Sequence, residues 1–256
     1  MATKLTALTD FLNTTLNTDI YTDIALNGLQ IESSQHNIMR VGLAVDAGLS
    51  VVQRAVEENV ELLITHHGVM WGQVQAITGT FAKKISLCLE NGLSLYSVHL
   101  PLDGHIELGN AAQIASSVLG LQSIQSAYMY KGAPLGITGS FGETILLDDI
   151  ANMLGRCEGA LNPPHVLPFG SSNIKKVGIV TGSGSSCIKE TVQYGLDLLI
   201  TGESKQEAYH EAKELECNVI FMGHYASETF GVRALGNVLT AKFGVEPVWI
   251  SEPTGI

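Results

Sequence analysis

Val41–Thr65 reads VGLAVDAGLSVVQRAVEENVELLIT, and 136 residues later Val177–Thr201 reads VGIVTGSGSSCIKETVQYGLDLLIT. The two stretches align without a gap, nine of their 25 positions are identical, and both end in LLIT. Each reads as a buried strand, a turn, a helix and a second buried strand, because short apolar runs bounded by turn residues flank a segment with helical spacing. Strands that alternate with helices pair in parallel through crossover connections, so the fold class expected is α/β. A repeat this long is no solenoid, whose period runs about 20–50 residues. We therefore expect two similar α/β lobes related by internal duplication, residues 1–127 and 128–256, with mainly parallel strands and flanking helices.

Outward from the repeat, Leu5, Leu8, Phe11, Leu12 and Leu16 recur at helical spacing, so the chain opens on an amphipathic helix. The repeat register places its counterpart near Ile145–Leu154, and places the short strand at Leu29 over Val166–Phe169. Ser50 is expected to cap the helix that runs to Glu58. Helices are also expected over Lys83–Glu90 and Leu108–Leu119, with a strand over Leu93–Val98.

Leu62–Ile64 delivers His66 and His67 onto a glycine-bearing turn at a strand's carboxyl end, where ligands gather in open α/β sheets. Neutral imidazole is the commonest metal-binding side chain, and two in succession are hard to explain as core packing. A second correspondence sets His99-x-x-x-Asp103 over His224-x-x-x-Glu228 at a shift of 125. Taken singly, Asp103 also fits a helix N-cap and Glu228 ordinary first-turn electrostatics. Together these groups supply five or six nitrogen and oxygen ligands, too many for one tetrahedral zinc. They suit two divalent ions about 3.5–4 Å apart.

His99 reads as a ligand, an outer partner of one, or an acid/base group. Glu203 stands opposite His67 in the repeat and is a candidate general base or substrate contact. Thr181–Ser186, TGSGSS, follows a strand and precedes a helix, so its backbone N–H groups are candidates to cradle an anion. Trp71 either walls the metal site or packs beneath its loop.

Net charge is −11, with no Lys/Arg cluster longer than a pair, which argues against a nucleic-acid backbone binder. The four cysteines form no Cys-x-x-Cys pair and read as reduced thiols. No apolar run reaches the roughly 18 residues of a membrane span, so a cytoplasmic protein without membrane contact is expected.

THHGVMWG (Thr65–Gly72), SVHLPLDGH (Ser97–His105) and GHYASETFG (Gly223–Gly231), with the shorter NGLQ (Asn27–Gln30), resemble the motifs of the NIF3-like dinuclear metal-centre family, also known as GTP cyclohydrolase I type 2 homologues. The HLPLD form is closest to its bacterial YbgI-type members, and the likeness covers nearly the whole chain. The resemblance implies that His66, His67, Asp103, His224 and Glu228 bind two metal ions. It also implies a ring-shaped homohexamer. Gly68 stands where many relatives have proline, and a slightly looser turn is expected there. His99 matches a motif histidine that lies outside the family's usual ligand set.

The function expected is a metal-dependent hydrolase of a small nucleotide-like or heterocyclic substrate, with His99 and Glu203 as its catalytic candidates. The mixed ligand set would accept Fe, Mn, Zn or Ni. The alternative is a non-catalytic metal-binding scaffold or metal-handling ring protein.

Overall fold

A computed structural model describes residues 2–256, which divide into two compact units. The first comprises the residues up to Leu102 together with Val232–Glu252; the second comprises Asp103–Gly231 and Pro253–Ile256. The division expected at 127/128 falls within a strand of the second unit, and the last helix and strand of the chain return to the first.

The first unit contains β1 (Thr3–Lys4), α1 (Leu5–Leu16), β2 (Gly28–Ile31), β3 (Asn37–Ile38), β4 (Arg40–Asp46), α2 (Leu49–Glu57), β5 (Leu62–His67), α3 (Gly79–Glu90) and β6 (Ser94–Ser97). The short helix α4 (Leu100–Asp103) leads into the second unit. There follow α5 (Asn110–Gln113), β7 (Gln122–Tyr130), β8 (Ala133–Leu146), α6 (Leu147–Leu154), β9 (His165–Pro168), β10 (Asn173–Ile179), α7 (Ile188–Gln193), β11 (Leu198–Thr201), α8 (Gln206–Glu214), β12 (Asn218–Phe221) and α9 (His224–Ser227). Helix α10 (Thr229–Phe243) and β13 (Glu246–Trp249) complete the chain's elements.

The first sheet runs β13-β4-β5-β6-β2 and the second β7-β8-β10-β11-β12-β9. In each, three consecutive strands pair in parallel and an earlier strand closes the edge antiparallel: β4-β5-β6 with β2, and β10-β11-β12 with β9. The register repeats as well. Val41 pairs with Leu62 and Val177 with Leu198, at the same separation that aligns the sequences. Parallel strands are buried on both faces, which explains why Val41–Val45 of β4, Leu62–Ile64 of β5, Val177–Ile179 of β10 and Leu198–Ile200 of β11 read as apolar runs rather than alternations.

The expectation of mainly parallel strands holds for the sheet centres and for β13 at one edge of the first sheet, while β2, β9 and the β7–β8 hairpin are antiparallel. Beside β10 lie β8 and β7, a hairpin turned by Lys131-Gly132, both at positive φ (48° and 90°), as a two-residue type I′ turn requires.

Helix α1 buries Leu5, Leu8, Leu12 and Leu16, and ends where Asn17 turns left-handed at φ 48°. Ser50 does not cap α2. Gly48 holds the cap position, and the Ser50 hydroxyl donates to Glu252 Oε1 at 2.6 Å instead. The helix expected over Leu108–Leu119 begins at Asn110 and widens after Gln113 into a π-helical stretch, Ile114–Val118, that buries Ile114 and Ala115. Ala44, Val51, Val52, Leu63 and Leu95 share one core in the first unit; Ile150, Val177, Ile179, Ile200 and Ile220 share one in the second. Among the described residues no helix is long and apolar enough to cross a membrane.

Candidate metal centre

In the first unit β5 ends in His66 and His67, and β6 is followed closely by His99. Val98 N–H donates to Thr65 O at 3.0 Å, extending the β5–β6 pairing by one rung, and His66 Nδ1 bonds Val98 O at 3.0 Å. His66 is therefore fully buried with one ring nitrogen committed to the sheet. His67 faces Asp46 across the β4–β5 register, and its Nδ1 lies 2.8 Å from Asp46 Oδ1. His99 Nδ1 bonds both oxygens of Asp23, at 3.0 and 3.1 Å. One ligand atom from each of His66, His67 and His99 lies within 4.8 Å of the others.

Asp23 is a fixed anion. Burial alone would raise its pKa, but hydrogen bonds from His99 and from Ala25 N–H, with the pull of the His99 charge, hold it well below the usual carboxylate range. Leu100 N–H and the Asn27 amide donate to it too, and Asn27 Oδ1 accepts from His99 N–H at 2.8 Å. Gln30 serves the neighbouring turn: its Oε1 accepts from Val69 and Met70 N–H, while its Nε2 donates to Leu26 O. The NGLQ stretch thus frames the histidine loop.

A Cβ on Gly68 would stand 2.4 Å from the Gln30 amide, so this turn is closed by a side chain rather than loosened by its glycine. Gln30→Ala is expected to cost about 1–3 kcal/mol, the penalty for stranding buried backbone donors, measured as a lower denaturation midpoint.

In the second unit His224 opens α9 and Glu228 follows it, so that His224 Nε2 lies 3.2 Å from Glu228 Oε1. Glu203 Oε2 holds His224 Nδ1 at 2.8 Å, and the Ser183 hydroxyl donates to the other oxygen of Glu203. Asp103 and Glu228 are 7% and 2% exposed, and a carboxylate oxygen of each lies within 4.8 Å of the other. Asp103 Oδ1 accepts from the Asn110 amide and the Thr181 hydroxyl, both at 2.9 Å. Two buried carboxylates this close repel unless a cation or proton lies with them. That donor set fits a hard or borderline divalent ion.

The Glu228 hydrogen bond, opposed by burial and reinforced by the charges of Glu228 and Glu203, raises the His224 pKa from 6.5 to about 9. Folded metal-free protein therefore gains stability from His224 fully below pH 6.5 and loses it as pH rises through about 9. An incoming ion must displace the Nε2 proton at neutral pH. The Ser183 hydroxyl, against the opposing effect of burial and together with His224, lowers the Glu203 pKa, so Glu203 is ionised.

The TGSGSS loop does not present a free row of donors. Gly182 N–H donates to Ser227 Oγ and Gly184 N–H to Thr201 Oγ1, both at 3.0 Å. The strand registers also refine the second correspondence. Leu62 pairs with Ser94 and Leu198 with Asn218, a shift of 124, so the second unit carries one extra residue before its histidine. Gly223, at φ 106°, absorbs it.

Sequence reasoning missed Asp23 and Asn110, and gave no role to Asp46 or to the Gln30 of NGLQ. Asp46 had a signal, since it stands at the carboxyl end of the β4 run as His67 stands at that of β5. Asp23 had none, being 76 residues from the histidine it holds. Asp46→Asn and Glu203→Gln are each expected to weaken divalent-metal affinity 10–100-fold, the usual effect of losing the group that orients a histidine ligand, read by competition with a chelator.

Two α/β sheets with imidazoles and carboxylates beyond their carboxyl edges define a protein with groups able to bind a metal ion. The chain belongs to the Duf34/NIF3 (NGG1p interacting factor 3) family, whose signature matches residues 3–254. An Archaeoglobus fulgidus relative, named GTP cyclohydrolase 1 type 2 homolog, is 38% identical over 99% of this chain and 100% of its own. A Pyrococcus horikoshii relative of the same name is 39% identical over 97% and 98%. The crystal structure of TTHA1606 from Thermus thermophilus superposes with a TM-score of 0.90 at 36% identity, covering 99% of this chain and 100% of that one. Protein ybgI gives 0.89 at 30% identity, again covering 99% and 100%.

Proposed function

We propose that the chain holds two divalent ions through His66, His67, Asp103, His224 and Glu228 and hydrolyses a small nucleotide-like or heterocyclic substrate, the class suggested by its relatives' name. One observation carries this reading. Each proposed imidazole ligand is held at Nδ1 by a carbonyl or carboxylate, the outer partner that fixes a metal-binding histidine with Nε2 presented. Bound ions of this kind acidify a water and polarise the bond under attack. His66 and His67 act from a rigid strand end, and Asp103 is oriented by Asn110 and Thr181.

His99 is the proton carrier. Asp23 accepts its Nδ1–H, so Nε2 takes a proton and returns it to the leaving group. Glu203, a general-base candidate by sequence, has one oxygen on His224 and the other on Ser183, and we assign it the positioning of His224. The native ions would be Fe, Mn, Zn or Ni, and the working form a cytoplasmic homohexameric ring, which sedimentation tests directly.

The deciding experiment is elemental analysis of anaerobically purified protein, with a metabolite screen on the same sample. Two ions per chain with turnover is the expected result. A full metal complement that turns over no nucleotide, phosphoester or cyclic amide overturns the hydrolase. His99→Asn is expected to cut turnover by about 10²–10⁴-fold with metal content unchanged, the range for a lost acid/base group.

A further inference from the structure

Beside the histidine cluster of the first unit, the Asp23–Leu26 segment and the Met70–Ile77 loop enclose a groove of about 490 Å³, within the range of small-molecule sites. Its apolar lining includes Ile24, Leu26, Trp71, Val74, Ile77 and Phe81. Ile24 is 64% and Ile77 63% exposed, and Val74 stands fully in solvent. A contiguous apolar patch of this kind marks a binding surface rather than ordinary surface scatter.

The groove's floor is held in place. Ala25 bridges Trp71, Leu26 N–H donates to Met70 O at 3.1 Å, and the indole N–H of Trp71 donates to Gly68 O at 3.0 Å. With its N–H tied back to the loop, the Trp71 ring packs edge-on against His99 at 5.2 Å between centroids and lies 5.8 Å from His67. Asp23, the partner of His99, lines the same groove. One indole therefore belongs both to the histidine cluster and to an apolar slot.

We propose that this groove takes the planar, uncharged ring of the substrate, with Trp71 as its stacking wall and the specificity-determining residue. The inference builds on the hydrolase reading, because it sets a heterocycle on the indole that packs against His99. A heterocycle has an apolar face for the indole and polar edges that remain near the imidazoles. An aliphatic chain would fill the groove without using the tethered ring. Stacking on a fixed aromatic accepts any base, so selection here is for planarity rather than for one ring.

The chain has two tryptophans, and Trp249 lies beneath the Arg233 guanidinium, 4.0 Å from ring to charge. Trp249→Phe therefore leaves Trp71 as the single reporter. Guanosine, adenosine and cytidine are titrated into this protein, with and without metal, against ribose. The expected result is saturable quenching by the nucleosides and none by ribose. By calorimetry on the otherwise native chain, Trp71→Ala should weaken nucleoside binding on the order of tenfold or more, while Trp71→Phe keeps most of it.

Absence of quenching in fully metal-loaded protein overturns the inference and leaves the metal reading standing. Quenching by a chain that takes up no metal does the reverse. If Trp71→Ala dissociates an oligomer in sedimentation while nucleoside affinity is unchanged, the groove is a contact with a second copy and the proposal fails.

Discussion

Glu228→Gln is expected to lower divalent-metal affinity by at least about 100-fold, more than the 10–100-fold expected for an orienting partner such as Asp46. The substitution keeps the side chain's length and removes its charge. Glu228 is buried at 2% exposure, its carboxylate reaches within 4.8 Å of Asp103, and its Oε1 lies 3.2 Å from His224 Nε2. It is the group through which a second carboxylate and an imidazole are brought together in this unit. An amide there offers a weaker oxygen and turns a donor toward the ion. Elemental analysis after dialysis, with chelator competition across Glu228→Gln and Asp46→Asn, reads the order directly. Metal affinity within tenfold of wild type for Glu228→Gln would remove it from the ligand set.

The second large effect concerns folding, and the repeat supplies its own control. Gly178 and Gly42 occupy equivalent positions in β10 and β4. A Cβ on Gly178 would sit 1.7 Å from Tyr128 Oη and 2.8 Å from its Cζ. Tyr128 cannot swing away: it is 2% exposed, and its hydroxyl donates to Thr191 Oγ1 at 2.9 Å, since Thr191 gives its own proton to Cys187 O.

Gly178→Ala should therefore cost about 3 kcal/mol or more, at the top of the overpacking range. The same change at Gly42 would meet Val60 Cγ1 at 3.0 Å and Leu63 Cδ1 at 3.1 Å, both ends of aliphatic side chains, and should cost about 1 kcal/mol. Urea midpoints of the two variants test the contrast. Adding Tyr128→Phe to Gly178→Ala should recover part of the loss. Equal midpoints for the two glycine variants would show that Tyr128 is not the obstacle.

The strands were legible because burial on both faces leaves unbroken apolar runs, and the duplication because register survives when surface residues do not. His66, His67, Asp103, His224 and Glu228 stood out as reactive side chains at strand ends or shortly after them. What holds them was hidden. Asp23 reaches His99 through the fold rather than along the chain, and Gln30 reads locally as one more strand residue. The expected Ser50 cap failed because α2 begins at Leu49, which places Ser50 inside the first turn, where its hydroxyl donates to Glu252, 202 residues away. The hairpin β7–β8 carries no counterpart in the first copy, so the repeat could not announce it.

The matching registers of β4–β5 and β10–β11 have a further meaning. Folding is specified by rungs inside each sheet, whereas reactive side chains are mounted on the final rung or past it: His67 in one copy, Glu203 in the other. Scaffold and chemistry are thus separately heritable, and either half could exchange its terminal residues for new ones without retraining the frame beneath.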